Sequence, residues 1–292
     1  MNLTFEELNF RDRLASGFME VDRQGDLAYQ TVVGYRLRTQ DKEENLETLG
    51  FELVKGNDRR QFAARKGPVV ARIKARQVEV LTEEPGFTPC FINNEGRIAG
   101  ICQQGSGYFW VSDGGPPRRL PVESRLPTFT ALRLLDLDCQ GRFLACYYHK
   151  GRTGVFLFDP DRDELRNLGI YPGTTLCLRG RANSQGEVVV TTNFTDRDSA
   201  NVHFIGPDGR TWMCSDSSAF DLSEEGRVAG AGVVLEERRA FARVWQSTGE
   251  SLDLSSVIPG KSSRALRFTA AGLLCSYEAA DWSHRYGFLR GL

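Results

Sequence analysis

Six glycines recur in one local setting along the chain: Gly25 in "DRQGDLAY", Gly96 in "NNEGRIAG", Gly141 in "DCQGRFLA", Gly186 in "NSQGEVVV", Gly226 in "SEEGRVAG" and Gly272 in "TAAGLLCS". Each closes a turn and precedes an apolar run, and a fixed internal period constrains a fold more than any single motif does. The first gap is long enough for two short units, and "FELVKGNDRRQFAARKGPVVARIKARQVEVL" at 51–81 reads as a degenerate copy inside it. Seven units then share a mean period of about 41 residues, the length of a four-stranded propeller blade.

Within a unit the apolar residues alternate or form short runs between turn signals, the pattern of strands and not of helices. The third unit divides into "TPCFINN", "RIAGICQ", "YFWVSD" and "RRLPVE"; the fourth into "LRLLDLD", "RFLACYY", "GVFLFD" and "ELRNLG". A Leu-x-x-Leu outer strand is expected at 46–50 and 165–169. The last unit stops at Leu292 without a fourth strand, while "NLTFEEL" at 2–8 stands spare before the first. Pairing the two would remove two exposed sheet edges. The expected fold is an all-β, single-domain β-propeller over 1–292, with seven four-stranded blades and the N-terminal strand completing the blade at 264–292. Six or eight blades, another β-solenoid and paired sandwiches are the competing arrangements.

The module resembles the bacterial HAF-type repeats, whose pattern runs Ile-Asn-x-x-Gly, a Gly-containing strand, an Ala-Phe-x-Trp-like strand and Leu-x-x-Leu-Gly. Ile92, Asn93, Gly96, Gly100, Phe109 and Trp110 match one copy; Leu165, Leu168 and Gly169 match the close of the next; Ala240 and Phe241 echo the name-giving tripeptide, without its His. The resemblance implies a propeller. It carries no catalytic residues.

Composition limits the partners. Lys+Arg 37 against Asp+Glu 38 leaves a net charge of -1, without the basic excess that phosphate binding along a nucleic acid requires. No run of about 18 apolar residues occurs, and "MNLTFEELNFRDRLASGF" is acidic where a signal peptide is cationic, so a cytoplasmic protein without membrane contact is expected. The seven cysteines stand singly in apolar runs with no C-x-x-C pair, as small hydrophobes do. Arginine-rich, lysine-poor usage fits a GC-rich bacterial source.

Catalytic and metal motifs are weak. The three histidines are His149 and His284, in equivalent hairpins, and His203, within a strand. "DPDRDEL" places Asp159, Asp161 and Asp163 at calcium-loop spacing but lacks the loop's Gly and distant Glu, and reads as a turn. Ser283 precedes His284, but adjacency in sequence does not make a dyad. There is no Gly-x-Ser-x-Gly elbow and no phosphate loop. No cofactor, no metal and no catalytic residue is assigned.

The hairpins joining second and third strands are long and charged in units four to seven and short in units one to three. Their candidate binding residues are Tyr147, Tyr148, His149, Lys150 and Arg152; Asp196, Arg197 and Asp198; Glu236, Glu237, Arg238 and Arg239; and Asp281, Trp282, His284 and Arg285. Arginine mixed with aromatics is the composition of protein interfaces. The leading reading is a non-catalytic scaffold or binding module that docks a protein through this face, as an assembly subunit or an inhibitor or immunity-type protein. The alternative is a hydrolase or lyase acting on a sugar or lactone, with an axial funnel lined by Asp136, Asp138 and Asp221. The scarcity of His and the lack of a repeated acid at the first-strand ends favour binding.

Overall fold

The computed structural model describes residues 2–10, 14–74, 77–83, 86–102, 108–111, 117–120, 122–172, 174–194, 200–237 and 239–292. The described strands form seven four-stranded antiparallel sheets, six of them consecutive meanders. Their first strands are Leu14–Val21, Glu52–Gly56, Phe87–Ile92, Ala131–Leu137, Thr174–Ala182, Ser217–Leu222 and Ser262–Thr269, for blades 1 to 7. First strands of consecutive sheets lie against one another, which sets them innermost around an axis. The only helix among the described residues is a single 3-10 turn, Glu123–Arg125. The architecture is an all-β propeller.

The ring closes as the spare strand predicts. Thr4–Glu7 pairs antiparallel with His284–Arg290, Thr4 opposite Arg290 and Glu7 opposite Gly287, and supplies the fourth strand of the last sheet. Tyr277 donates to Glu7 at 2.5 Å across the same seam.

One turn chemistry explains the repeated glycines. Three residues before each stands Asp22, Asn93, Asp138, Asn183, Ser223 or Thr269, with Asn57 in the degenerate unit. Asn93 Oδ1 accepts the N–H groups of Glu95 and Arg97 at 3.1 and 2.9 Å, and Asp22, Asn57 and Asp138 repeat the pair of bonds. Such a side chain closes the turn on its own backbone, and the fourth residue must then take positive φ. Gly141 does so at φ 80°; in blade 2, where no Gly is available, Arg60 takes the same place at φ 55°. Asn57 and Asn183 also donate from Nδ2 to the carbonyls of Asn93 and Ser223 in the next blade, at 2.5 and 2.9 Å, so the turn residue staples neighbours together.

The core is divided in the same way. Among the described residues seven separate apolar clusters occur, and each joins two adjacent sheets: Leu144, Cys146 and Val155 of blade 4 pack with Val188 and Val190 of blade 5. Val21 and Tyr29 of blade 1 pack with Leu274 and Phe288 of blade 7 and complete the circle. Trp245 is fully buried between blades 5 and 6, with Trp212 stacked at 6.3 Å and Phe204 stacked on Trp212 at 5.4 Å. Large aromatics of this kind contribute roughly 2–3 kcal/mol each. One strand is displaced from expectation: the outer strand of blade 1 is Glu43–Leu46, so Leu46-x-x-Leu49 lies beyond it, and Leu49 turns outward with positive φ.

Candidate functional site

Five residues before each turn glycine, or its Arg60 counterpart, stands Glu20, Lys55, Phe91, Asp136, Arg181, Asp221 or Arg267, in blade order. The signs alternate around the ring, and because seven is odd one position has to be neutral; Phe91 fills it. In blades 2, 3, 4, 6 and 7 a bulge in the first strand falls immediately before this residue, at Val54, Cys90, Leu135, Phe220 and Leu266. A bulge inserts one unpaired residue and re-aims the next side chain, here at the axis.

The ring charges are paired. Lys55 meets Glu20 at 2.7 Å and Arg181 meets Asp136 at 3.1 Å, each bond joining neighbouring blades. Asp136 also accepts the Ala182 N–H at 3.0 Å, and Asp221 accepts the equivalent Phe268 N–H at 3.0 Å. Arg23, from the turn of blade 1, reaches Asp221 at 3.3 Å and the Leu222 carbonyl at 3.1 Å, and so straps the mouth from blade 1 to blade 6. Arg267 crosses the other way to Asp58 of blade 2 at 3.0 Å. Burial works against the Arg267 charge, but Asp221, Asp58, Glu20 and Asp136 outweigh it and hold the guanidinium above its ordinary pKa.

All of these groups but Glu20 line a cavity of about 700 Å³ at the turn face of the axis, to which all seven blades contribute, blade 1 through Arg23. Asp138 lies in its wall, and burial pushes its carboxyl up to about 6 although Arg142 Nε donates to it at 2.6 Å. Asp136, Asp138 and Asp221 thus meet at one mouth, as the funnel reading requires, yet each is already held by an arginine and backbone N–H groups. The expectation that no acid repeats at first-strand ends is corrected: Glu20, Asp136 and Asp221 share one position. The equivalence shows only when the units are aligned on the turn glycine and the column five residues upstream is read, because the intervening bulge breaks the alternation that sequence periodicity follows.

Of the hairpin candidates, Tyr147 is corrected. It is 3% exposed and packs in the core between blades 3 and 4, its ring 6.3 Å from Phe156, because it falls on the inward side of its strand. Tyr148 and His149 are half-buried, and His149 Nδ1 contacts the Thr128 carbonyl. Lys150 and Arg152 are exposed, without a carboxylate partner among the described residues. Glu236 and Glu237 are exposed; Arg239 pairs with Glu237 at 3.0 Å and donates to the Lys261 carbonyl at 2.7 Å. Arg285 bridges Asp281 and Glu7 at 3.3 Å each, His284 is exposed, and Trp282 stands 67% exposed with Lys261 Nζ 4.3 Å from its ring centre. Asp196, Arg197, Asp198 and Arg238 lie outside the described residues.

A short hairpin carries exposed apolar residues as well. Val32 and Val33, at the tip of blade 1, are 70% and 72% exposed, and Leu235 of blade 6 is 49% exposed. Blades 6, 7 and 1 are consecutive, so one arc of the hairpin face carries Leu235, Trp282 and the two valines.

His203 lies within its strand beside the Tyr171 ring at 4.6 Å, with Nε2 3.0 Å from the Thr192 hydroxyl oxygen, and burial lowers it to about 4. Ser283 donates to Asp281 at 2.6 Å and not to its neighbour His284. Asp159 caps its own turn, while Asp161 and Asp163 pair with Arg97 and Arg125, and among the described residues no group of His, Cys, Asp and Glu is arranged to hold a metal. The cysteines are free, and no described helix is long and apolar enough to cross a membrane.

No known family matches the chain by sequence, and no curated protein does. Solved structures match it in shape. Virginiamycin B lyase from Staphylococcus aureus superposes over 100% of both chains at 10% identity and a TM-score of 0.57. YCF48 from Cyanidioschyzon merolae covers 98% of each chain at 12% identity and 0.58. An oligogalacturonate lyase in complex with manganese covers 98% of this chain and 90% of its own, at 11% identity and 0.56. Identities this low establish the propeller fold alone.

Proposed function

We propose that the chain is a non-catalytic propeller that docks a protein through its hairpin face, centred on blades 6, 7 and 1 and extending to the hairpin of blade 4. The observation that carries this reading is the arc of apolar tips, Leu235, Trp282, Val32 and Val33, with Lys261 over the Trp282 ring and Arg239 and Arg285 in the same two hairpins. Exposed apolar groups rimmed by mixed charge, Arg239 with Glu237 and Arg285 with Asp281 and Glu7, make a surface suited to a partner that presents an apolar patch with a polar rim. The paired state of the axial acids supports the same reading, since a general acid or base needs a group free to exchange a proton with substrate.

The test is capture of a stoichiometric partner from the native extract by the full chain. Trp282→Ala together with Leu235→Ser should weaken capture at least about tenfold while circular dichroism and Tm stay unchanged, as for truncated interface anchors. Equal capture by the double variant, or no stoichiometric partner, would overturn the docking reading.

A second reading has its own observation. The mouth of about 700 Å³ gathers three carboxylates, Asp136, Asp138 and Asp221, and burial pushes that of Asp138 up to about 6. Two of the similar folds are lyases by description. A hydrolase or lyase acting on a sugar or lactone there would lose activity with Asp138→Asn at unchanged stability.

A further inference from the structure

Below the paired ring the channel changes character. A second cavity of about 180 Å³ is lined by Lys55, Arg179, Arg181 and Arg267 against two carboxylates, Glu20 and Asp221. Both carboxylates are engaged, Glu20 by Lys55 and Asp221 by Arg23 and the Phe268 N–H. Arg181 answers to Asp136, but Arg179 has no carboxylate partner among the described residues; its guanidinium lies over the Phe220 ring at 4.5 Å. Arg267 leaves its Nε buried and without a hydrogen-bond partner.

The surroundings of Arg179 are themselves cationic. Burial lowers its pKa, and Arg264, Arg181 and Arg133 each lower it further. Arg133 donates only to the Cys177 carbonyl, at 3.3 Å, and Arg264 has no ion pair among the described residues. A chain of net charge -1 therefore concentrates like charges on its axis. Arg133, Arg179 and Arg264 are exposed, and like charges held this close repel, so a group of opposite sign between them relieves the repulsion.

We infer that the axial cavity beside Arg179 is a binding site for a small oxyanion, a phosphate or a short dicarboxylate, held by Arg179 among the other cations that line it, Lys55, Arg181 and Arg267. Planar guanidinium groups suit oxyanions because they donate parallel, charge-assisted hydrogen bonds. The volume accommodates one such anion and excludes a polymer. The site is independent of the hairpin-face docking reading.

The experiment is calorimetric titration of the full chain with sodium phosphate, sulfate and malonate, each at constant ionic strength against chloride. One-site binding is expected with Kd of about 1 mM or tighter, weakened at least about tenfold in Arg179→Met, which keeps the stem on Phe220, and about threefold in Arg264→Met. Arg210→Met, at an exposed pair with Asp208, serves as the control and should bind like the parent. Preference for phosphate or for malonate assigns the class of anion. Absence of binding for all three, or equal affinity in the parent and both channel variants, would overturn the site; if Arg179→Met does not fold, Arg264→Met alone decides.

Discussion

The two ends of the axial channel are built by the same seven strands, yet their charges have opposite company. At the turn end every ring carboxylate and cation has a partner: Glu20 with Lys55, Asp136 with Arg181, Asp221 with Arg23, Arg267 with Asp58. Farther along, Arg133, Arg179 and Arg264 have no carboxylate among the described residues. A buried charge that meets its opposite is part of the framework. A cluster of one sign calls for something the chain does not supply. Residue type alone would have marked the first end as the functional one, since that is where the acids gather.

The comparison can be broken by mutation. Asp221→Ala should cost the most, about 3 kcal/mol in urea unfolding, because it strands Arg23 and the Phe268 N–H in a mostly buried place. A loss under about 1 kcal/mol would show the turn end to be no framework.

A titration away from the axis sets the background. The His203 pKa near 4 lies below the unfolded value of about 6.5, so the unfolded chain takes up the proton first. Its contribution is whole above about pH 6.5 and falls away toward pH 4, by on the order of 1–2 kcal/mol given its partial exposure. Asp138, raised to about 6, has the opposite sign: the folded chain binds that proton first, so its contribution to stability grows as pH falls from about 6 toward 4. His203→Phe should therefore remove the falling limb between pH 6.5 and 4, measured as Tm against pH, and leave the Asp138 slope exposed.

Smaller effects sharpen the contrast. Arg60→Gly should raise stability by at most about 1 kcal/mol, since relief of a positive φ is partly offset by the lost contact with Asp26. Asp138→Asn should change stability by less than about 0.5 kcal/mol, because Asn already closes the same turn in blades 2, 3 and 5. In anion-free buffer Arg179→Met should leave unfolding unchanged or raise the midpoint slightly, where the turn-end variant lowers it.

The repeat was legible because its turn imposes a residue type every time: an oxygen-bearing side chain, then positive φ three residues later. The closing strand 2–8 was legible because the last unit lacked its fourth. Even the degenerate second unit could be placed, although Arg60 in a glycine position hid its turn. The ring of alternating charge is hidden in the sequence, since bulges at Val54, Cys90, Leu135, Phe220 and Leu266 shift the inward-facing residue out of register with simple alternation. Tyr147 reads as outward from its neighbours in a charged hairpin, whereas its place on the strand turns it into the core. Val32 and Val33 carry no sequence signal because their hairpin is short; their exposure follows from a two-residue turn that leaves no room to fold them back.

The pairing of Thr4–Glu7 with His284–Arg290 gives the molecule a clasp. Six blades are formed by chain neighbours and can assemble as local meanders, but this seam joins residues almost the whole chain apart and must await both ends. Blade 7 carries Trp282 at one edge of that seam and blade 1 carries the two valines at the other, so whatever loosens the clasp also separates the two halves of the apolar arc.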